Sequence, residues 1–332
     1  MSMSAPAVGY EIDQSVPLGG PSETRFARMF RSRRITVGGG ILLLIILACL
    51  MSMFWTLSSN SALSYGRQDP DKVRFAPQAN FVGAFGYDVL GRSILARCLL
   101  GGTISLAVGV AAATIAVVLG VTVGLIAGYA GGWVDSSLMR IVDILYGLPY
   151  ILLVILFKIA LEEPITRLIG SMQNASPSFS AGQAANLIVM FLAIGLVSWL
   201  TMARVVRGQV LTIRAMPYIE ACRAMGLPKA RIFIQHVLPN LVGPITVYAT
   251  LTVPSAILQE SFLSFLGVGV RPPLPTWGSL ASEGVLALSP VKVYWWMLLF
   301  PCVLLMLTLL CLNFVGDGLR DLFDPKREAA KL

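Results

Sequence analysis

Charge is scarce in this sequence. Only 13% of its 332 residues are Asp, Glu, Lys or Arg, against roughly 25% in soluble domains, while 56% are hydrophobic and the mean hydropathy is +0.77. A water-soluble core does not accommodate that balance. Histidine is reduced to His236, which excludes a His-rich metal cluster and leaves no hydrolase triad to assemble. His236 reads as a polar group at headgroup level, with pH sensing as the alternative. The five cysteines, Cys49, Cys98, Cys222, Cys302 and Cys311, have neither metal-ligand nor disulfide spacing. There is no Gly-Lys dipeptide and hence no G-x-x-x-x-G-K-[ST] phosphate loop, and neither H-E-x-x-H nor G-x-S-x-G occurs. The chain therefore carries no signature for cradling ATP or for metalloprotease or serine-hydrolase chemistry.

What is abundant is apolar length. Several runs reach the roughly 20 residues that cross a bilayer as a helix, and no alternating strand pattern is visible. Backbone groups in lipid then require helices, so the fold class is an all-α polytopic membrane protein with six transmembrane helices. Residues 1–34 read as a cytoplasmic N-terminal tail, the first 24 of them without periodicity. Arg25, Arg28, Arg31, Arg33 and Arg34 precede the first span, 35–57. That run exceeds a signal-peptide core, which favours an uncleaved span. Residues 58–100 form an external loop, 101–316 a core with five further spans and a cytoplasmic loop at 204–240, and 317–332 a cytoplasmic tail. With this topology 16 of the 25 Lys and Arg fall on the side of both termini and 9 on the other, which orients the chain by the positive-inside rule. The net charge of +8, which in a soluble protein would suggest nucleic-acid binding, is explained by the membrane instead.

Within the core, the second span (about 104–127) carries Gly120, Gly124 and Gly128 at every fourth residue, a smooth face for close helix approach. Arg140 and Asp143 are spaced to pair at the start of the third span, which Pro149 is expected to kink. Residues 158–186, with Glu162-Glu-Pro and Ser176-Pro-Ser, read as a polar external stretch. The fourth span covers about 187–203 and the fifth about 241–258, kinked by Pro254. A bent external connection, 260–278, leads to the last span, 293–315, which carries Pro301. Arg140, Asp143, Lys158 and Glu260 all fall near expected span ends. A proton- or sodium-driven transporter would commonly place ionisable groups in mid-membrane, so the driving force is expected to come from elsewhere.

The polar stretch 215–239 separates the fourth and fifth spans. Pro217 suits a first helical position and Glu220 the first turn. Tyr218, Ala221, Cys222 and Met225 form one apolar stripe at i, i+3, i+4 and i+7, with Glu220 and Arg223 on another side. Gly226 ends that helix. A second follows, with Ala230, Phe233, Ile234 and Val237 on one face, until Pro239 closes it. On pattern alone this is either a docking handle or an amphipathic loop on the headgroups.

Glu220-Ala221, Gly226 and Leu238-Pro239 resemble the E-A-A…G…LP loop of permease subunits of binding-protein-dependent ABC importers, with Cys222 where Ala is usual. Asp88, Gly91, Arg92 and Arg97, followed by Gly101-Gly-Thr-Ile-Ser-Leu106, resemble the external-loop signature of the dipeptide/oligopeptide/nickel branch, with Tyr87 for Thr and Ser93 for Asp. Ser261-Phe-Leu-Ser-Phe-Leu-Gly267 and Gly316-Asp-Gly-Leu-Arg-Asp321 fit the same branch, most closely its oligopeptide-type second permease. The resemblance implies a type I importer permease fold and an ATPase-coupling loop comprising Pro217, Tyr218, Glu220, Ala221, Arg223, Gly226, Leu238 and Pro239. It also implies a second homologous permease, two ATP-binding subunits that hold ATP and Mg, and an extracytoplasmic solute-binding protein. The chain itself would be no enzyme, would hold no cofactor and would reside in the bacterial cytoplasmic membrane with both termini inside. Peptides are the implied solute. Nickel or another small solute is the alternative within the class, and a self-sufficient secondary transporter or channel the alternative outside it.

Overall fold

The computed structural model describes residues 33–58, 60–172, 181–288 and 292–323. The tail before residue 33, Ser176-Pro-Ser and the part of the 317–332 tail beyond residue 323 lie outside them. Among the described residues the chain is helical, with only isolated bridges between Tyr87 and Ser93 and between Leu288 and Val293. The helices are α1 (Arg33–Leu57), α2 (Ile94–Ala130), α3 (Gly132–Tyr146), α4 (Tyr150–Met172) and α5 (Ala181–Arg214). The 215–239 stretch supplies α6 (Pro217–Ala224) and α7 (Lys229–Ile232), and α8 (Leu238–Phe265), α9 (Trp277–Leu286) and α10 (Trp296–Phe323) follow. Among the described residues five helices are long and apolar enough to cross a membrane, or six spans if the bent pair α3 and α4 counts as one. Outward-facing Leu43, Leu44, Leu47, Leu50, Met51 and Phe54 on α1 are exposed, as a lipid-facing surface requires. Successive spans alternate in direction, leaving a Gly226 end and an Asp88 end.

The interface between α2 and α5 is the most extensive in the bundle. Gly120, Gly124 and Gly128 sit on it: a Cβ built on Gly124 would lie 2.6 Å from the Ala203 carbonyl oxygen and 2.8 Å from Val206 Cβ. Between helices in lipid the attraction comes from contact itself, so a face without side chains lets the backbones approach. Gly124→Leu is expected to force the pair apart and destabilise the protein by about 3 kcal/mol, read as a lower unfolding midpoint in detergent and reduced membrane yield. A wild-type midpoint would mean that α2 and α5 do not pack here.

Several boundaries differ from those expected. The external loop ends at Ser93, not near 100, because the Ser93 side chain accepts from Ala96 N–H and starts α2 ten residues before the expected span. The third span is not merely kinked: α3 and α4 meet at 99°. Gly147 N–H closes α3 onto Asp143 O, and Pro149, which holds its predecessor extended, supplies the first carbonyl of α4, accepting from Leu153 N–H. Residues 158–172 are not loop. They continue α4 through Pro164, since one missing amide costs a hydrogen bond without ending a helix packed against α5. Glu260 likewise lies inside α8, which runs to Phe265, and α10 runs to Phe323. Pro239 does not close a helix: a π turn over Phe233–Val237 leads straight into α8, with Leu238 N–H reaching back to Phe233 O. The wider turn supplies the register change that a proline in the helix needs. Asp143 pairs with Arg204 at 2.7 Å and not with Arg140; the bend brings α5 closer to it than its own helix surface does.

Candidate functional site

The 215–239 stretch is a two-armed handle at the Gly226 end. Pro217 opens α6 and Glu220 stands in its first turn. The arm ends at Gly226, whose φ is +77°. Gly226 N–H bonds Arg223 O and Leu227 N–H bonds Cys222 O, the paired closure in which a left-handed residue satisfies the last carbonyls of a helix. Leu227 then packs against the apolar underside formed by Val206, Val210 and Ile213 of α5 with Ile219, Ile232 and Val237. That underside corrects the expected stripes. Ile219 is the fully buried residue of α6, whereas Tyr218 is 40% and Met225 70% exposed. Ala221, Arg223 and Glu220 are exposed with them, and in the second arm Ala230 and Ile234 point out while Ile232 and Val237 point in. Of the residues assigned to the two apolar stripes, Tyr218, Ala221, Met225, Ala230 and Ile234 thus form an outward surface, while Cys222, Phe233 and Val237 pack on the underside. α6 is held by a narrow seam because the handle rests on the α5 end and not on a broad core.

Polar contacts fasten the handle. Arg214 Nη1 donates to Gly128 O and, at 3.0 Å, to Tyr129 O. Tyr129 OH donates to Lys229 O, its ring lies 4.8 Å from that of Phe233, and Asn240 Nδ2 donates to Tyr218 OH at 3.3 Å. Arg207 forks onto both oxygens of Asp135. The handle is therefore joined to the ends of α2 and α5, and Arg207 ties α5 in turn to α3. A 34-residue helix such as α5 is about 51 Å long and exceeds the roughly 30 Å hydrocarbon layer, so its last turns can project to carry it.

At the opposite end the signature residues converge. Asp88 Oδ1 accepts from Leu90 N–H at 2.8 Å and Arg92 N–H at 2.9 Å. Its Oδ2 accepts from Arg92 Nε at 2.7 Å and Arg97 Nη1 at 2.8 Å. Gly91 closes the turn, its N–H donating to Asp88 O and its carbonyl accepting from Asp69 N–H. Arg97 also forks onto Glu283 of α9, with Nη2 at 2.8 Å. Glu283 was missed in the sequence, although it is the lone charge between Arg271 and Lys292, and an isolated charge beside a membrane asks for a partner.

A second polar knot was also not anticipated. Glu260 is wholly buried and accepts from Ser264 Oγ at 2.6 Å, Ser105 Oγ at 3.0 Å and Ser261 Oγ at 3.4 Å. Those serines in turn hold the chain between α8 and α9: Ser264 Oγ accepts from Val270 N–H and Ser105 Oγ from Trp277 N–H. Lys158, also buried, donates to Val268 O and Gly269 O. Glu260→Gln keeps an acceptor and is expected to stay within about 1 kcal/mol of wild type, whereas Glu260→Leu leaves hydroxyls without an acceptor and is expected to cost about 3 kcal/mol. Unfolding midpoints in detergent test both; equal midpoints for the two variants would show that the knot is not structural. Among the described residues no group of three His, Cys, Asp or Glu could hold a metal.

A family model described as "Binding-protein-dependent transport system inner membrane component" matches residues 120–329. The oligopeptide transport system permease protein OppC of Escherichia coli (strain K12) is 45% identical over 286 residues, covering 86% of this chain and 83% of that one. The dipeptide transport system permease protein DppC of Bacillus subtilis (strain 168) is 37% identical over 305 residues, covering 92% and 86%. Among solved structures, inward-facing conformations of the MetNI methionine ABC transporter match with a TM-score of 0.51 and 21% identity, covering 69% of this chain and 97% of that one. At that identity the likeness concerns the fold.

Proposed function

We propose, for a chain that belongs to the family of binding-protein-dependent transport system inner membrane components, the role of a membrane-spanning permease subunit in an ATP-driven importer of peptides, most specifically oligopeptides. The observation that carries this is the handle: α6 and α7 present Tyr218, Glu220, Arg223 and Met225 outward while fastened to the ends of α2 and α5. Its outward surface is read as the seat for a separate ATP-binding subunit, with Leu238 and Pro239 carrying the second arm into α8. Two such subunits bind ATP and Mg and do the hydrolysis. A second homologous permease completes the pathway, and an extracytoplasmic binding protein delivers solute to the Asp88 end. When the ATPases close, the handle moves, and the spans fixed to it switch the pathway between outward- and inward-facing states. The Gly226 end and both termini then face the cytoplasm of a bacterial cell.

Two measurements test this reading. ATPase activity of a co-expressed nucleotide-binding partner should be stimulated when this chain, its companion permease and the loaded binding protein are present; an unaltered rate argues for a self-sufficient transporter or channel. Single-cysteine labelling should find the exposed positions of 66–81 accessible from outside and those of 217–231 from inside. An externally labelled Glu220 loop would overturn the orientation and the coupling role together.

A further inference from the structure

Between the α3/α4 break, α5 and α8 lies an open cavity of about 540 Å³, within the usual range for small-ligand sites. One wall is aliphatic and aromatic. The other is a polar row, Tyr150, Ser198, Thr201, Thr252, Ser255 and Gln259, and no lining residue is charged. On α8 the polar members fall at i, i+3 and i+7, and on α5 at i and i+3, so each helix turns one polar stripe to the cavity. That surface is unlike the lipid-facing side of α1, with its exposed Leu43, Leu44 and Leu47, and hydrocarbon is the wrong solvent for it. The chemistry on offer is also specific. Thr252 Oγ1 donates to Tyr248 O at 2.7 Å and Ser255 Oγ to Leu251 O at 3.1 Å, so both hydroxyl protons are occupied and their oxygens present acceptor lone pairs. Tyr150 OH donates to Gln259 Oε1, joining α4 to α8 across the cavity.

We infer that this cavity is a binding site for polypeptide main chain, in which Thr252 and Ser255 accept peptide N–H groups and Gln259 offers its amide to a peptide carbonyl. The inference rests on the peptide reading above and deepens it. An uncharged lining has no means of favouring acidic over basic side chains, and hydroxyl and amide groups match what every peptide shares. A divalent metal cargo would find no carboxylate, thiolate or imidazole there.

The test uses the complete transporter, with its partner subunits and binding protein, in sealed vesicles. Uptake is measured for trialanine and for its two derivatives with lysine or glutamate in the middle position. Thr252→Val combined with Ser255→Ala is expected to slow all three by a common factor of about tenfold, at equal abundance and equal co-purification of partners. Ser255→Asp is expected to shift the ratio of lysine to glutamate peptide uptake about tenfold towards lysine. Wild-type rates in the first variant, or an unshifted ratio in the second, would overturn the inference and leave the importer reading standing. A wild-type transporter that takes up none of the three peptides would instead overturn the peptide reading, and the inference with it.

Discussion

Gly226→Val is expected to lower solute uptake at least tenfold while leaving membrane abundance near wild type. The reason lies in the backbone. At φ +77° an L side chain is held in the left-handed region, at roughly 1–2 kcal/mol and more for a β-branched residue, and a Cβ on Gly226 meets nothing within 4 Å. The substitution therefore collides with no neighbour. The strain is relieved by opening the closure of Gly226 N–H on Arg223 O and Leu227 N–H on Cys222 O, which changes the angle between the two arms of the handle. The spans, packed by other contacts, are expected to remain inserted. Gly226→Asn provides the control, because Asn tolerates the left-handed region and should retain most of the uptake. Vesicle uptake, ATPase activity of the assembled complex and a blot for abundance are read together. Full uptake from a well-expressed Gly226→Val protein would make the loop a passive connection.

The handle was legible because its punctuation is local. Pro217, Glu220 and Gly226 each act within one turn, and the structure gives the helix start, the first-turn acid and the left-handed closure where those residues stand. The glycines at 120, 124 and 128 were legible for a similar reason, since glycine at every fourth residue of an apolar helix clears one face for a neighbouring backbone. Which face of α6 is buried was not legible. Tyr218 and Met225 could line an apolar seam as Ile219 does, and the choice between them is made by Val206 and Val210 on a different helix. Span boundaries failed at Ser93, Lys158 and Glu260 for one reason. A hydropathy argument ends a span where polar residues begin, but here those residues are helical and find polar partners inside the bundle: Arg97 with Asp88 and Glu283, Lys158 with two carbonyls, Glu260 with three serines. The partners of Arg97 and Glu260 include residues more than 150 positions away, beyond any local pattern.

The Asp88 cluster is where removal of one carboxylate should cost most. The side chains of Asp88 and Arg97 are 1% and 3% exposed, so the guanidinium has exchanged water for the two carboxylates it touches, and Arg97 Nε already lacks a partner. Asp88→Ala would strip one carboxylate from that buried charge and leave the Leu90 and Arg92 amides unaccepted in the turn. Removing one member of a buried pair typically costs about 3–5 kcal/mol, and the effect here is expected within that range. Asp88→Asn should recover little of it: its oxygen can serve the two amides, but its NH₂ would then face the Arg92 and Arg97 donors. Replacing both charges, Asp88→Ala with Arg97→Met, removes the stranded cation and leaves Glu283, 32% exposed at its side chain, near Arg92 at 3.8 Å. The double variant should therefore be more stable than the sum of the single losses implies, by about 2 kcal/mol. Unfolding midpoints in detergent for the four proteins of this cycle, with protease sensitivity of the 60–93 loop as a second readout, measure that coupling. Strictly additive losses would mean that Asp88 and Arg97 stabilise the loop separately, and that α9 is not held to it through their shared charge.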